Sequence, residues 1–179
     1  MTTFVALLRG INVGGNKVIA MAALRDLVAQ LGFSDVRTLL QSGNVVFRGP
    51  ATAPAQLEVK LEAAIERTFG LDVEVHVRTA AEWRAIVAAN PFVAEARTDP
   101  SHVLVTCFKQ PLQKPRVDAL RAAIPGRETL HADRRQLYMV FPDGMGPSKA
   151  AVLAGRMLPG GTARNWNTVL KLDAAAATS

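Results

Sequence analysis

Residues 35–48, DVRTLLQSGNVVFR, hold two runs of strand-forming residues joined by Gln41-Ser42-Gly43, a glycine-containing connection of hairpin length. Helical periodicity flanks this hairpin on both sides. Upstream, Leu24, Leu27, Val28 and Leu31 recur at helical spacing from Met21, and Gly32 stands where a helix ends in a left-handed residue. Downstream, Leu57, Leu61, Ala64, Ile65 and Phe69 form the inward stripe of a helix over residues 55–69, with Glu58, Glu62 and Glu66 expected outward and Gly70 as the stop. Outside the helices lie two more strands. Residues 3–9, TFVALLR, are a short apolar run, and residues 71–78, LDVEVHVR, alternate strictly, with Glu74, His76 and Arg78 expected on a half-exposed face. The order is βαββαβ, the split βαβ arrangement of ferredoxin-like units.

Thr79-Ala80-Ala81-Glu82 fits a capping box and opens a helix carrying Trp83, Ile86 and Val87 that must end before Pro91. This helix reads as a connector, so residues 1–90 form one subdomain and residues 91–179 a second. The pattern then partly repeats: a strand at 102–108, a helix at 115–124, strands at 127–132 and 136–141, and a helix at 148–158. A last helix over residues 163–176 is expected in place of the final strand. The fold class is α+β: two ferredoxin-like, βαββαβ-type subdomains in tandem with extra C-terminal helices. Phe4-Val5-Ala6-Leu7-Leu8 and Val45-Val46-Phe47 are apolar on both strand faces. The sheet face without helices must therefore be covered, and the subdomains are expected to pack together.

Composition narrows the function classes. The formal charge is +6 and the pI about 10.1. Residues 1–90 hold nine basic against eight acidic residues and residues 91–179 twelve against seven, so the positive field belongs to the second half. That balance permits a phosphorylated small molecule or a nucleic acid as partner without requiring either. The single cysteine, Cys107, lies in the apolar run HVLVTCF and reads as a buried, inert thiol in a reducing compartment. The opening apolar run has no basic residues before it and is broken by Arg9, so neither a signal sequence nor a membrane span is expected and the location reads as cytoplasmic.

Known catalytic patterns are missing. His76, His102 and His131 fall on separate strands without cysteine or histidine companions, so no metal is expected. Ser42 stands in LQSGN and not in G-x-S-x-G, no Ser-x-x-Lys is present, and no cofactor fingerprint occurs. GINVGGNK at residues 10–17 approaches a phosphate loop but places Asn16 before the lysine and Val18 after it. Its glycines can serve turn geometry alone. The same loop also joins backbone amides to Arg9 and Lys17, the combination that holds anions in strand-to-helix loops. The βαββαβ order invites comparison with RNA-recognition motifs, but SGNVVFR lacks their aromatic strand pattern.

LLRGINVGGNK near the start, LQSGNVVF in the first half and ARNWNTVLKL near the end together resemble the family called domain of unknown function 1697. The resemblance spans nearly the whole chain and implies two tandem ferredoxin-like subdomains with extra C-terminal helices. It implies no activity. In many relatives the segment before the fifth helix resembles G-x-G-R-S-K, where this chain has Gly144-Met145-Gly146-Pro147-Ser148-Lys149.

The polar residues of these blocks are the candidate ligand-binding set: Arg9, Asn12, Gly14, Gly15 and Lys17; Ser42 and Asn44; Lys149; and Arg164, Asn165 and Asn167. Ser148 is a natural cap for the helix that Lys149 enters, and Trp166 is expected to anchor the last helix in the core. The favoured function is binding of an anionic ligand at the glycine-rich loop. A small enzyme is the alternative, with Asn12, Ser42 and Asn44 orienting a substrate and Lys149 or Arg164 stabilising negative charge, although the blocks contain no obvious base. An interaction module without chemistry is a third reading.

Overall fold

The structure is a computed structural model that describes residues 1–15, 17–146 and 148–178. The chain divides into two compact units, residues 1–85 with 171–179, and residues 86–170. Each contains a four-stranded antiparallel sheet, and the described residues contain seven α-helices.

The first unit runs β1 (Thr2–Leu8), α1 (Met21–Gln30), β2 (Ser34–Leu39), β3 (Asn44–Gly49), α2 (Pro54–Phe69), β4 (Val75–Thr79) and the start of α3 (Ala80–Ala88). Its sheet order is β2-β3-β1-β4. Phe4, Ala6, Leu8, Val45, Phe47, Val75 and Val77 meet the apolar stripes of α1 and α2, including Leu24, Val28, Leu61 and Ile65. Phe47 centres this layer, with ring centroids 5.5 Å from Phe4 and 4.7 Å from Phe33. Pro54 starts α2, where its missing N–H costs nothing, and Gly70 ends it at φ 67°.

The opposite sheet face is buried as well: Val5, Leu7, Val46, His76 and Arg78 are all at most 2% exposed. The alternation in residues 71–78 is thus real, but of its polar side only Glu74 is exposed, while His76 and Arg78 are buried. The strand itself is shorter, starting at Val75. Arg78 donates to the Val77 carbonyl at 2.8 Å and lies 4.0 Å from Glu58.

Glu58 also turns inward, against the outward position expected of it. It is 5% exposed and accepts the Val77 amide at 2.9 Å, while Glu62 accepts the Val75 amide at 2.8 Å. Both carboxylates cover the free edge of β4, where unpaired amides would otherwise invite another strand. Glu82 completes the row by accepting the Thr79 amide at 2.8 Å, and Thr79 Oγ1 accepts from the Glu82 amide, the reciprocal capping box expected at α3.

The second unit continues with α4 (Val93–Thr98), a 3-10 turn at Pro100–His102, β5 (Val103–Cys107), α5 (Lys114–Ala123), β6 (Thr129–Asp133), β7 (Gln136–Val140), α6 (Lys149–Met157), β8 (Thr162–Asn165) and the beginning of α7 (Trp166–Ala177). Sheet order is β6-β7-β5-β8, the same relative order as in the first unit. The final strand is therefore present, against the expectation that a helix replaces it. Residues 162–165 read as a helix start because the strand is short and runs directly into α7. Pairing with β5, from Cys107↔Thr162 to Leu104↔Asn165, makes them extended. Gly161 permits the entry, since a Cβ there would lie 2.5 Å from Thr106 Cγ2.

Leu104, Leu120, Leu137, Met139 and Phe141 fill the helix side of this second sheet. Tyr138, on the other face, is fully buried and donates to the Ile86 carbonyl at 2.8 Å. Cys107 is buried, as its apolar neighbours led one to expect. Among the described residues, no helix is long and apolar enough to cross a membrane.

Candidate functional site: a mixed-charge pocket at the first loop

The loop after β1 is fixed at both ends by the core. Ile11 and Ile19 are buried, the Leu8 amide donates to Gly43 O at 2.8 Å, and the Arg9 amide donates to Glu74 O at 2.9 Å. Asn12 holds the loop together. Its Nδ2 donates to Ile19 O at 2.9 Å and Gln41 O at 2.7 Å, its Oδ1 accepts from the Ile19 amide at 2.9 Å, and its own amide donates to Lys17 O at 3.1 Å. Both side-chain donors and the side-chain acceptor are thus engaged within the protein, and Asn12 at φ 55° adopts the left-handed conformation that asparagine tolerates better than most residues.

This bracket ties the loop to the β2–β3 turn, whose geometry is also internally supported. Asn44, fully buried, donates to Leu39 O and to Ser42 Oγ, each at 2.9 Å. Gly43 sits at φ 73°, and a Cβ there would come within 2.6 Å of Ile11 Cδ1. Ser42 and Asn44 therefore support the wall behind the loop. Gly14 and Gly15 are exposed with positive φ, and Asn16, the last residue of the expected tight turn, lies outside the described residues.

The folded loop leaves a pocket of about 340 Å³ lined by Arg9, Gly10, Lys17, Asp72 and Glu74. Arg9 and Lys17 lie eight positions apart on one loop, and the loop's return brings both to this cavity. Arg9 Nη1 lies 2.7 Å from Glu74 Oε2, with both side chains 45% exposed. Lys17, whose backbone is also left-handed at φ 49°, donates its Nζ to the Asp72 carbonyl oxygen. The pocket thus carries two cations and two carboxylates.

Asp72 and Glu74 are not in the candidate set drawn from the sequence. The signal for Glu74 lies in topology: β4 pairs antiparallel with β1 and Leu8 faces Val75, so the next residues outward are Arg9 and Glu74. Arg9 and Glu74 are 65 positions apart, so no local block of sequence holds both.

The remaining candidates belong to the second unit. Ser148 caps α6 by accepting from the Ala150 amide at 3.1 Å, and its hydroxyl also bonds to Glu128 Oε1. Lys149 follows it, exposed; the adjacent Pro147 lies outside the described residues. Arg164 is 9% exposed and donates to Ala163 O at 2.8 Å and Thr162 Oγ1 at 3.0 Å. Burial lowers its pKa to about 10, with a small opposing effect from Cys107, so the group stays charged at neutral pH. Asn165 caps α7, its Oδ1 accepting from the Thr168 amide and hydroxyl at 3.0 Å each. Asn167 is exposed and Trp166 is buried at 7%. A second cavity, of about 300 Å³, borders Asn90, Arg97, Trp166 and Leu170, and is mainly apolar. Among the described residues no cluster of His, Cys, Asp or Glu is arranged to hold a metal ion.

The profile of a protein family of unknown function, DUF1697, matches residues 1–138. The chain belongs to the DUF1697 family. This member also resembles a solved structure, the conserved bacterial protein SP0830 from Streptococcus pneumoniae, with 22% identity, a TM-score of 0.73 and 98% of each chain covered. At that identity the likeness speaks for the fold alone. No curated protein matches the chain. The function of this DUF1697 member is unknown.

Proposed function

We propose that this protein binds a ligand through an anionic group at the Arg9–Gly10–Lys17 pocket, and that each unit is a ferredoxin-like βαββαβ module, the first presenting this site at the end of β1. The element order and sheet order of both units support the fold reading. One observation carries the functional reading: Arg9 and Lys17 reach the same small cavity beside Gly10, whose exposed main chain has no side chain to shield it. Guanidinium, ammonium and accessible backbone form a donor set suited to phosphate or carboxylate.

The cavity favours a phosphorylated metabolite over a nucleic acid, because its cations sit at one pocket and not along a groove. A cytoplasmic protein would meet such ligands. Titration of the full-length protein with inorganic phosphate and with ethyl phosphate, followed by amide chemical shifts, tests this reading. Shifts should centre on Gly10 and Lys17, and Arg9→Gln and Lys17→Gln should each weaken binding about tenfold, the value of one charge-assisted contact. Shifts scattered over the surface and unaffected by either substitution would refute it. A single-stranded oligonucleotide that binds with a steep salt dependence would favour nucleic acid instead.

A further inference from the structure

We infer that the ligand of the loop pocket is a zwitterion, with an anionic group for Arg9 and Lys17 and an ammonium group for Glu74 and Asp72. This inference rests on the proposed anion-binding reading and adds the ligand's second charge.

Arg9 sets the first constraint. Its guanidinium is already paired with Glu74 at 2.7 Å, and Lys17 is anchored on the main chain of residue 72. An incoming anion must share or displace Glu74, which sets two negative charges at close range. Like charges at that separation disfavour one another. A ligand bearing both signs removes the conflict. Its anion takes Arg9 and Lys17, its ammonium takes Glu74, and each half of the original bridge is exchanged for a ligand charge of the same sign.

Asp72 strengthens the case, because it is a second acidic residue of the same pocket lining, exposed, with its main-chain oxygen accepting from Lys17 Nζ. Beside the Arg9–Glu74 bridge the lining therefore carries one further residue of each sign, Lys17 and Asp72. A cavity of about 340 Å³ suits a compact molecule with its two charges a few bonds apart. A phosphate or carboxylate close to a primary amine has this chemistry, whether as a free metabolite or as the exposed end of a lipid headgroup.

The experiment compares phosphoethanolamine with ethyl phosphate, which differ by one ammonium group, against the full-length protein. Phosphoethanolamine should bind about tenfold more tightly, the value of one favourable ion pair. Glu74→Gln should bring the ratio close to one by weakening the zwitterion and strengthening ethyl phosphate, and Asp72→Asn should reduce it in part. Both positions are exposed, and unchanged melting temperatures would show that the variants fold. Equal affinities in the unsubstituted protein, or a ratio indifferent to Glu74→Gln, would overturn the inference. If ethyl phosphate then still binds in an Arg9-dependent manner, the anion-binding reading stands without the zwitterion; if neither compound binds, both fall. Sedimentation with phosphatidylcholine vesicles containing phosphatidylethanolamine separates the two sources: retention assigns the headgroup, and no retention with tight phosphoethanolamine binding assigns the free metabolite.

Discussion

Asn12 shows how a polar residue in a distinctive block can serve architecture. With Nδ2 shared between Ile19 O and Gln41 O and Oδ1 taking the Ile19 amide, it supplies the hydrogen bonds that the irregular backbone of the loop does not make for itself. Asn12→Ala should cost about 2–3 kcal/mol, combining partly buried polar groups left unpaired with a positive φ that alanine tolerates poorly. Chemical denaturation checks this, and a loss below about 0.5 kcal/mol would show that water replaces the side chain. Arg9 and Lys17 differ in kind. Each meets a partner at the pocket surface, so their removal should alter ligand affinity far more than stability, exposed ion pairs contributing little to folding.

At the scale of elements, β4 is the informative case. Its outer edge presents the amides of Val75, Val77 and Thr79, and three carboxylates, from Glu62, Glu58 and Glu82, accept them. An acidic stripe on α2 is ordinarily a solvated helix face. Here its first two members turn toward the sheet because α2 lies along the edge strand. Glu58 carries the larger burden, since it is buried and lies 4.0 Å from the buried Arg78. Glu58→Ala should destabilise the protein by about 3 kcal/mol, removing the acceptor of the Val77 amide and a buried carboxylate 4.0 Å from Arg78. Glu66→Ala, further along the exposed face of α2, should cost less than about 0.5 kcal/mol. Similar losses for the two variants, measured by urea unfolding, would contradict the edge-protection account.

At the scale of the molecule, the second unit carries a single-site reporter of its own stability. Tyr138 is the only tyrosine in the chain, and its phenol is pushed well above the ordinary value of 10.0 by burial first, then by the proximity of Asp133 and Cys107. The folded state thus holds the phenolic proton more tightly than the unfolded state does. This contribution is fully present below pH 10 and is lost as pH rises from there toward the folded-state value. Tyrosinate absorbance should therefore appear only with unfolding, and stability should fall more steeply above pH 10 in the unsubstituted protein than in Tyr138→Phe. A phenol that titrates near pH 10 in a protein still folded by circular dichroism would refute this.

Much of this architecture is written locally. Helical spacing, the glycine stops at Gly32 and Gly70, the Thr79–Glu82 capping box and the Ser148 cap depend on neighbours within a few positions, so α1, α2, α3 and α6 are legible from residues alone. The short β8 is not, because only hydrogen bonds to β5, more than fifty positions away, make Thr162–Asn165 a strand. The same division runs through the candidate site. Sequence marks Arg9 and Lys17 as cations flanking a glycine-rich loop, whereas Glu74 and Asp72 join them only because β4 returns antiparallel beside β1. Local pattern determined which residues could form helices, turns and a cationic loop. Tertiary pairing decided which charges meet, since Coulomb forces and hydrogen bonds act across space and are indifferent to separation along the chain.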